Sequence, residues 1–138
     1  MRPTSPAIPL LLAVLSLAAC HGGPSVVPND ASAHVAPLNH VVLISLADPA
    51  DAAECEADCR RMLAEIPVVR TLWVGTPVDT GRAAVDGDYE VGLCVGLDGT
   101  DDLQRYLEAP SHLALVEKWR PRAAGFRIFD VGSEVSGR

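Results

Sequence analysis

The sequence predicts an α+β domain of the ferredoxin-like class, with a four-stranded antiparallel sheet and two helical segments on one face. Two strand–helix–strand units follow one another between residues 38 and 131, and this βαββαβ order favours that arrangement. The chain has 138 residues, of which 49% are hydrophobic, so it can build one core but not two. Its net charge of −7 makes nucleic acid a poor partner, because an acidic surface repels phosphate.

The first nineteen residues are typical of an export signal. Arg2 precedes an apolar run over residues 8–19 that is too short to span a bilayer. The run ends in Leu17-Ala18-Ala19-Cys20, which resembles the bacterial lipobox, and the resemblance implies cleavage before Cys20 and acylation of its sulfur. An ordinary cleaved signal followed by a chance cysteine is the alternative. We therefore expect an exported, membrane-anchored lipoprotein, on the outer membrane if the host has one.

The segments that flank the predicted domain lack any hydrophobic period. Residues 20–37 contain Gly, Pro, Ser and Asn, a composition that predicts a flexible tether behind the acylated cysteine. Residues 132–138 predict a loose tail.

The first unit begins with residues 40–46, where Val, Leu and Ile alternate in a pattern that predicts a strand. Asp48 and Pro49 then suit the cap and first position of a helix that Pro67 ends. Steps of three and four predict two faces for this helix. The buried face comprises Ala52, Cys55, Cys59, Met62 and Ile66, and the solvent face comprises Glu54, Asp58, Arg61 and Glu65.

The second unit is predicted from the same signals. Strands are expected over residues 68–74, 89–97 and 126–131, with a Gly- and Pro-containing loop over 76–88. Thr100 is expected to cap one helical piece and Ser111 a second piece after Pro110. Leu103, Tyr106 and Leu107 point inward on the first piece, and His112, Val116 and Trp119 share a face of the second, with Leu115 beside it.

Strand alternation predicts two apolar sheet faces. The bulkier face, assigned to the helices, carries His40, Val42, Ile44, Leu46, Val91, Leu93, Val95 and Leu97. The other carries Val41, Leu43, Ser45, Gly92, Cys94, Gly96, Phe129 and Val131. Because a helix-free face should be polar if it met water, we expect two copies to stack through it as a homodimer. A monomer that covers this face with its own tether or tail is the alternative.

Several motifs together resemble the stress-responsive dimeric α/β-barrel (Dabb) family across residues 38–131. They are Leu38-Asn-His-Val-Val-Leu-Ile-Ser-Leu46, Ile66-Pro67, Val74-Gly75, Asp88-Tyr-Glu-Val-Gly-Leu93, Tyr106-Leu-Glu-Ala-Pro-Ser-His112 and Phe129-Asp130. The resemblance implies that the sheets of two chains pair into a barrel.

The family resemblance does not imply one activity. A plant member that cyclises a polyketide uses a Tyr and a His that match Tyr106 and His112, and its strand-one His matches His40. That enzyme's pocket aromatics fall at Cys55 and Cys59 here, so its substrate is not transferred to this chain.

The resulting hypothesis is a domain that binds a small apolar or carbonyl compound, or a purely structural module. The alternative is a small cyclase- or lyase-like enzyme in which Tyr106 and His112 act as the acid–base pair on a carbonyl compound, with His40 as a further candidate catalytic residue. Whether the chain is an enzyme stays open, since the same three residues could be structural. The predicted pocket residues are Val42, Cys55, Cys59, Leu93 and Asp130, with Asp130 expected to orient His112.

No cofactor or metal is predicted. Cys55 and Cys59 lie one helical turn apart and could join His40 and His112 around a metal, but small buried cysteines are common core residues. A Cys55–Cys59 disulfide is conceivable after export, although parallel Cβ directions in a helix disfavour it. Cys94 lies on the opposite sheet face and could meet its own copy across a dimer axis.

Overall fold

The computed structural model describes residues 35–132. The signal segment, Cys20, most of the tether and residues 133–138 lie outside the described residues. Within this range no helix is both long and apolar enough to cross a bilayer. The elements are β1 (Leu38–Leu46), α1 (Ala52–Leu63), β2 (Thr71–Gly75), β3 (Val91–Leu97), α2 (Thr100–Glu108), α3 (Pro110–Trp119) and β4 (Ala123–Gly132).

The four strands form one antiparallel sheet in the order β2-β3-β1-β4, which confirms the ferredoxin-like prediction. The predicted faces of β1 are also correct. His40, Val42 and Ile44 are buried under the helices, while Val41 and Leu43 are partly exposed on the opposite side. Residues paired across the sheet share a face, so the register of β1 with β3 and β4 continues the assignment through all three strands.

Several predicted boundaries are wrong for local backbone reasons. Asp48 does cap, since its carboxylate accepts from the amide of Ala50 at 3.0 Å, but α1 ends at Leu63, and turns over residues 64–70 then bring Ile66 into the core. The strand predicted over 68–74 consequently begins only at Thr71.

Neither predicted cap of the second unit acts as one. Gly99 is the N-cap of α2 and Thr100 its first residue, with no side-chain cap bond. Ser111 is the second residue of α3, because Pro110 forces the preceding Ala109 out of the helical region and occupies the first position itself.

Asp58 is buried, contrary to the prediction that it faces solvent. Because α3 packs across α1, the Asp58 carboxylate accepts from Lys118 Nζ at 2.5 Å, Arg61 Nη2 at 2.9 Å and the Trp119 indole at 3.1 Å. The ammonium of Lys118 chiefly holds the pKa of Asp58 below its usual value. Arg122 stacks over the Trp119 ring, with its guanidinium carbon 4.1 Å from the ring centroid. This polar cluster joins the two helices.

The face of the sheet that carries no helix, hereafter the helix-free face, presents an apolar row across all four strands. Trp73, Cys94, Val41 and Phe129 lie in register along it, and Trp73 and Phe129 are 59% and 50% exposed. Gly96, on the same face, is covered by the chain itself and is not open to a partner's backbone. A Cβ there would collide with the Thr71 side chain and would lie 2.6 Å from the Cβ of Ala36, in the segment before β1.

Candidate functional site

A cavity of about 290 Å³ lies between the helix-covered face of β1 and β4 and the helices α2 and α3. Its wall is mostly apolar, from Val42, Ile44, Leu93, Leu115, Phe126 and Ile128. The helices leave β4 uncovered, so Ile128 is 57% exposed and the cavity reaches solvent beside this edge strand. A small compound could enter without unfolding the domain.

His40 lies on β1 opposite Asp130 of β4, and the two side chains meet with 2.6 Å between Nδ1 and Oδ1. A carboxylate accepts, so Nδ1 donates to Asp130, and in the neutral ring this tautomer leaves the Nε2 lone pair available. The expectation that Asp130 orients His112 is therefore wrong, because the antiparallel register places its carboxylate against His40. A His–carboxylate pair of this kind fixes the tautomer and orientation of the ring.

His112 is held in the first turn of α3 by the end of α2. Its Nδ1 donates to the carbonyl oxygen of Leu107 at 3.0 Å, and a carbonyl only accepts, so Nε2 is again left with its lone pair. Burial lowers the pKa of His112, opposed by the bond to Leu107. The ring is therefore neutral near pH 7 and acts as an acceptor.

Tyr106 lies between the two histidines and is only 1% exposed. Its ring centroid is 5.7 Å from that of His40 and 4.7 Å from that of His112. Within residues 35–132 no fully buried side-chain nitrogen or oxygen lacks a hydrogen-bond partner. The Tyr106 hydroxyl has no partner in that range, so it is not fully buried, and it faces the cavity that Tyr106 lines. Burial raises the pKa of Tyr106, so the hydroxyl stays protonated and can donate.

The predicted trio of His40, Tyr106 and His112 is thus brought together at one end of the cavity. Two imidazoles with free Nε2 atoms can accept hydrogen bonds, and one phenol can donate. Such a set suits a ligand with a carbonyl or hydroxyl group on an apolar body, and it contains the groups that acid–base chemistry needs.

The other predicted pocket residues are only partly in place. Val42, Cys59 and Leu93 line the cavity, whereas Cys55 lies in the core and Asp130 is engaged with His40. The interaction with Cys55, together with burial, raises the pKa of Cys59, so this thiol is protonated. The three cysteines within residues 35–132 are free, and that range contains no His, Cys, Asp or Glu cluster suited to a metal ion.

Sequence reasoning missed Arg120, which also lines the cavity. It lies in the 3-10 turn Arg120–Arg122 that joins α3 to β4. The sequence Trp119-Arg-Pro-Arg122 signalled only a helix end, and nothing in its period indicated an inward direction.

A second, larger cavity of about 490 Å³ lies at the start of α2. Four of its five charged wall residues form ion pairs, since Arg70 pairs with Asp98 and Arg105 with Asp102. It shares no residue with the His40, Tyr106 and His112 group, so the smaller apolar cavity is the better candidate site.

Comparison with known proteins assigns the family. The model of the stress responsive A/B barrel domain (Dabb) matches residues 38–133. The chain belongs to the Dabb family. No curated protein sequence matches it significantly.

Solved structures with the same fold resemble this Dabb chain at low sequence identity. A dimeric ferredoxin-like protein of unknown function from Thermobifida fusca is 20% identical, with a TM-score of 0.59 over 70% of this chain and 90% of that one. A Dabb family protein from Mesorhizobium loti is 20% identical, with a TM-score of 0.59 over 70% of this chain and 95% of that one. A hydroxynitrile lyase from Passiflora edulis is 12% identical, with a TM-score of 0.59 over 73% of this chain and 96% of that one. These likenesses establish the ferredoxin-like fold.

Proposed function

We propose that this Dabb domain binds a small, largely apolar compound bearing a carbonyl or hydroxyl group. The observation that carries the proposal is the cavity of about 290 Å³ into which the Tyr106 hydroxyl faces. A purely structural module would fill the space between its helices and sheet, because protein cores are close-packed. Here the space is open, and its polar groups converge at one end as in ligand sites.

Blocking the cavity tests this proposal. Val116 lines the cavity from α3 and is 36% exposed, whereas Leu113 on the same helix is 54% exposed and lies outside it. We expect Val116→Trp to weaken the binding of decanol at least about tenfold, because the indole occupies the ligand's space. Titration calorimetry on Val116→Trp and the unmodified protein measures the effect.

The matched variant Leu113→Trp adds the same bulk to the same helix and is expected to bind decanol like the unmodified protein. Equal affinity of Val116→Trp and Leu113→Trp would show that decanol binds elsewhere, and no binding to the unmodified protein would refute the proposed site.

Acid–base catalysis on a carbonyl compound is the second candidate function. It is supported by the two Nδ1 contacts, which make Nε2 the reacting nitrogen of each neutral ring in His40 and His112, beside the protonated Tyr106. The hydroxynitrile lyase from Passiflora edulis shares the fold, which makes such chemistry compatible with this scaffold. Deuterium exchange next to the carbonyl of a bound ketone in D₂O tests this candidate, and its absence would leave binding alone.

We also propose that the domain is a homodimer paired through the helix-free face. Trp73, Val41, Phe129 and Val131 form one apolar surface there, which a lone soluble domain would expose to water. The Thermobifida fusca relative is described as dimeric. A two-fold axis would pair this surface with itself.

We further propose that the protein is exported and anchored to a membrane through Cys20. The lipobox-like residues before Cys20 support an exported protein anchored by acyl chains, each buried CH₂ contributing about 0.8 kcal/mol. Mass spectrometry of the intact protein tests this, since an unmodified Cys20 in mature material would refute acylation.

A further inference from the structure

The cavity wall includes a cation, the exposed Arg120, which comes from the end of α3 away from His112. Arg120 follows the last turn of α3, while His112 lies in the first, and this step of eight positions sets their backbones about 12 Å apart. The sheet also places the histidine and the arginine at opposite ends of the cavity. His40 lies near one end of β1, and the turn that carries Arg120 is attached beyond the other, where the amide of Ala47 donates to the carbonyl of Arg122 at 2.9 Å.

Arg120 has no carboxylate partner within residues 35–132. Its neighbour Arg122 is paired with Asp51 and Glu54, and Arg127 is paired with Asp86. Glu117, three residues before Arg120 on α3, forms no ion pair with it. Arginine is the side chain best suited to carboxylates, because its planar fork can donate two parallel hydrogen bonds.

Among residues 35–132 no carboxylate lines the cavity wall, so none in that range could attract a cationic ligand. Asp130, the acid nearest along β4, is outside the wall and is engaged with His40. The polar groups of the described wall include the neutral Tyr106 and His112 and the ring of His40. An anionic group is therefore the charged group that the described wall complements, and Arg120 is where it would bind.

We propose that the ligand is an elongated apolar monocarboxylate, with its carboxylate at Arg120 and its carbonyl or hydroxyl group at the far end near Tyr106 and His112. This inference rests on the proposed binding function and adds the chemical class of the ligand. The apolar side chains of Val42, Leu93 and Ile128 line the path between the two ends. The volume of about 290 Å³ lies at the small end of ligand pockets, which favours a single medium-length chain.

The compounds 10-hydroxydecanoate and decanol test the inference because they share the chain and the hydroxyl group and differ in the carboxylate. We expect the unmodified protein to bind 10-hydroxydecanoate about tenfold more tightly than decanol, and Arg120→Gln to remove this preference by weakening 10-hydroxydecanoate alone. Titration calorimetry measures the four affinities. Arg82→Gln is the matched control, since Arg82 is an exposed arginine of the 76–90 loop outside this cavity, and it should leave both affinities unchanged.

The outcomes separate this inference from the binding function. If Arg120→Gln leaves the affinity for 10-hydroxydecanoate unchanged, or weakens decanol equally, the carboxylate assignment is overturned while cavity binding stands. If Arg82→Gln weakens 10-hydroxydecanoate as much as Arg120→Gln, the attraction is general and the assignment is also overturned. If neither compound binds the unmodified protein, both the inference and the binding function fail.

Discussion

Phe129→Glu is expected to convert the dimer into monomers. Phe129 lies at the β4 end of the apolar row, next to Val41, and its ring is half exposed in one protomer. In a stacked dimer the new carboxylate would be buried against apolar side chains. The two-fold axis would place the carboxylate of the partner protomer in the same interface. An unpaired buried charge costs several kcal/mol, which corresponds to a loss of dimer affinity of about a thousandfold.

Sedimentation equilibrium measures the molar mass, which should fall from that of two chains to that of one. Val78→Glu is the matched control, because Val78 is 71% exposed in the loop between β2 and β3 and lies outside the apolar row. It should leave the dimer intact. A Phe129→Glu protein that stays dimeric would show that the copies do not pair through the helix-free face.

Asp58→Ala is expected to lower the free energy of unfolding by about 2–3 kcal/mol. The change removes the acceptor shared by Lys118, Arg61 and the Trp119 indole, and it leaves that indole N–H without a partner at the α1–α3 contact. Urea denaturation measures the loss. Glu117→Ala, at an exposed acid of α3 without an ion pair in residues 35–132, should change stability by less than about 0.5 kcal/mol.

The contribution of Asp58 should also depend on pH. Because its pKa is lowered on folding from an ordinary value of 3.8, the unfolded chain binds a proton first as the pH falls. The stabilisation is therefore fully present above pH 3.8 and is lost progressively below it. The stability difference between the unmodified protein and Asp58→Ala should shrink in that acid range. A difference that stays constant there would contradict the assigned ion pairs.

The fold could be predicted because its strands alternate with a period of two. In β1 the buried His40 and Val42 and the more exposed Val41 lie on opposite faces as the pattern requires, and β3 and β4 pair with β1 in registers that keep those faces intact. Tyr106 and His112 were also predictable, since helical steps directed both toward the sheet.

The partners of the site residues could not be predicted because they come from distant segments. Asp58 follows the solvent-face period of α1, but Lys118 and Trp119, about sixty residues later, cover it. Asp130 pairs with His40 because of the β1–β4 register, which a strand pattern does not specify. Arg120 reaches the cavity through a 3-10 turn, and a turn has no period from which a direction can be read.

The central claim is that a small apolar compound binds between the helices and the sheet. Methyl NMR during titration with decanol tests it most directly, because neighbouring residues of β1 report on opposite faces. Binding in the cavity should change the methyl chemical shifts of Val42 and Ile44, which line it, and leave those of Val41 and Leu43 unchanged. Shifts confined to Val41 and Leu43 would place the compound on the helix-free face and contradict the proposed site.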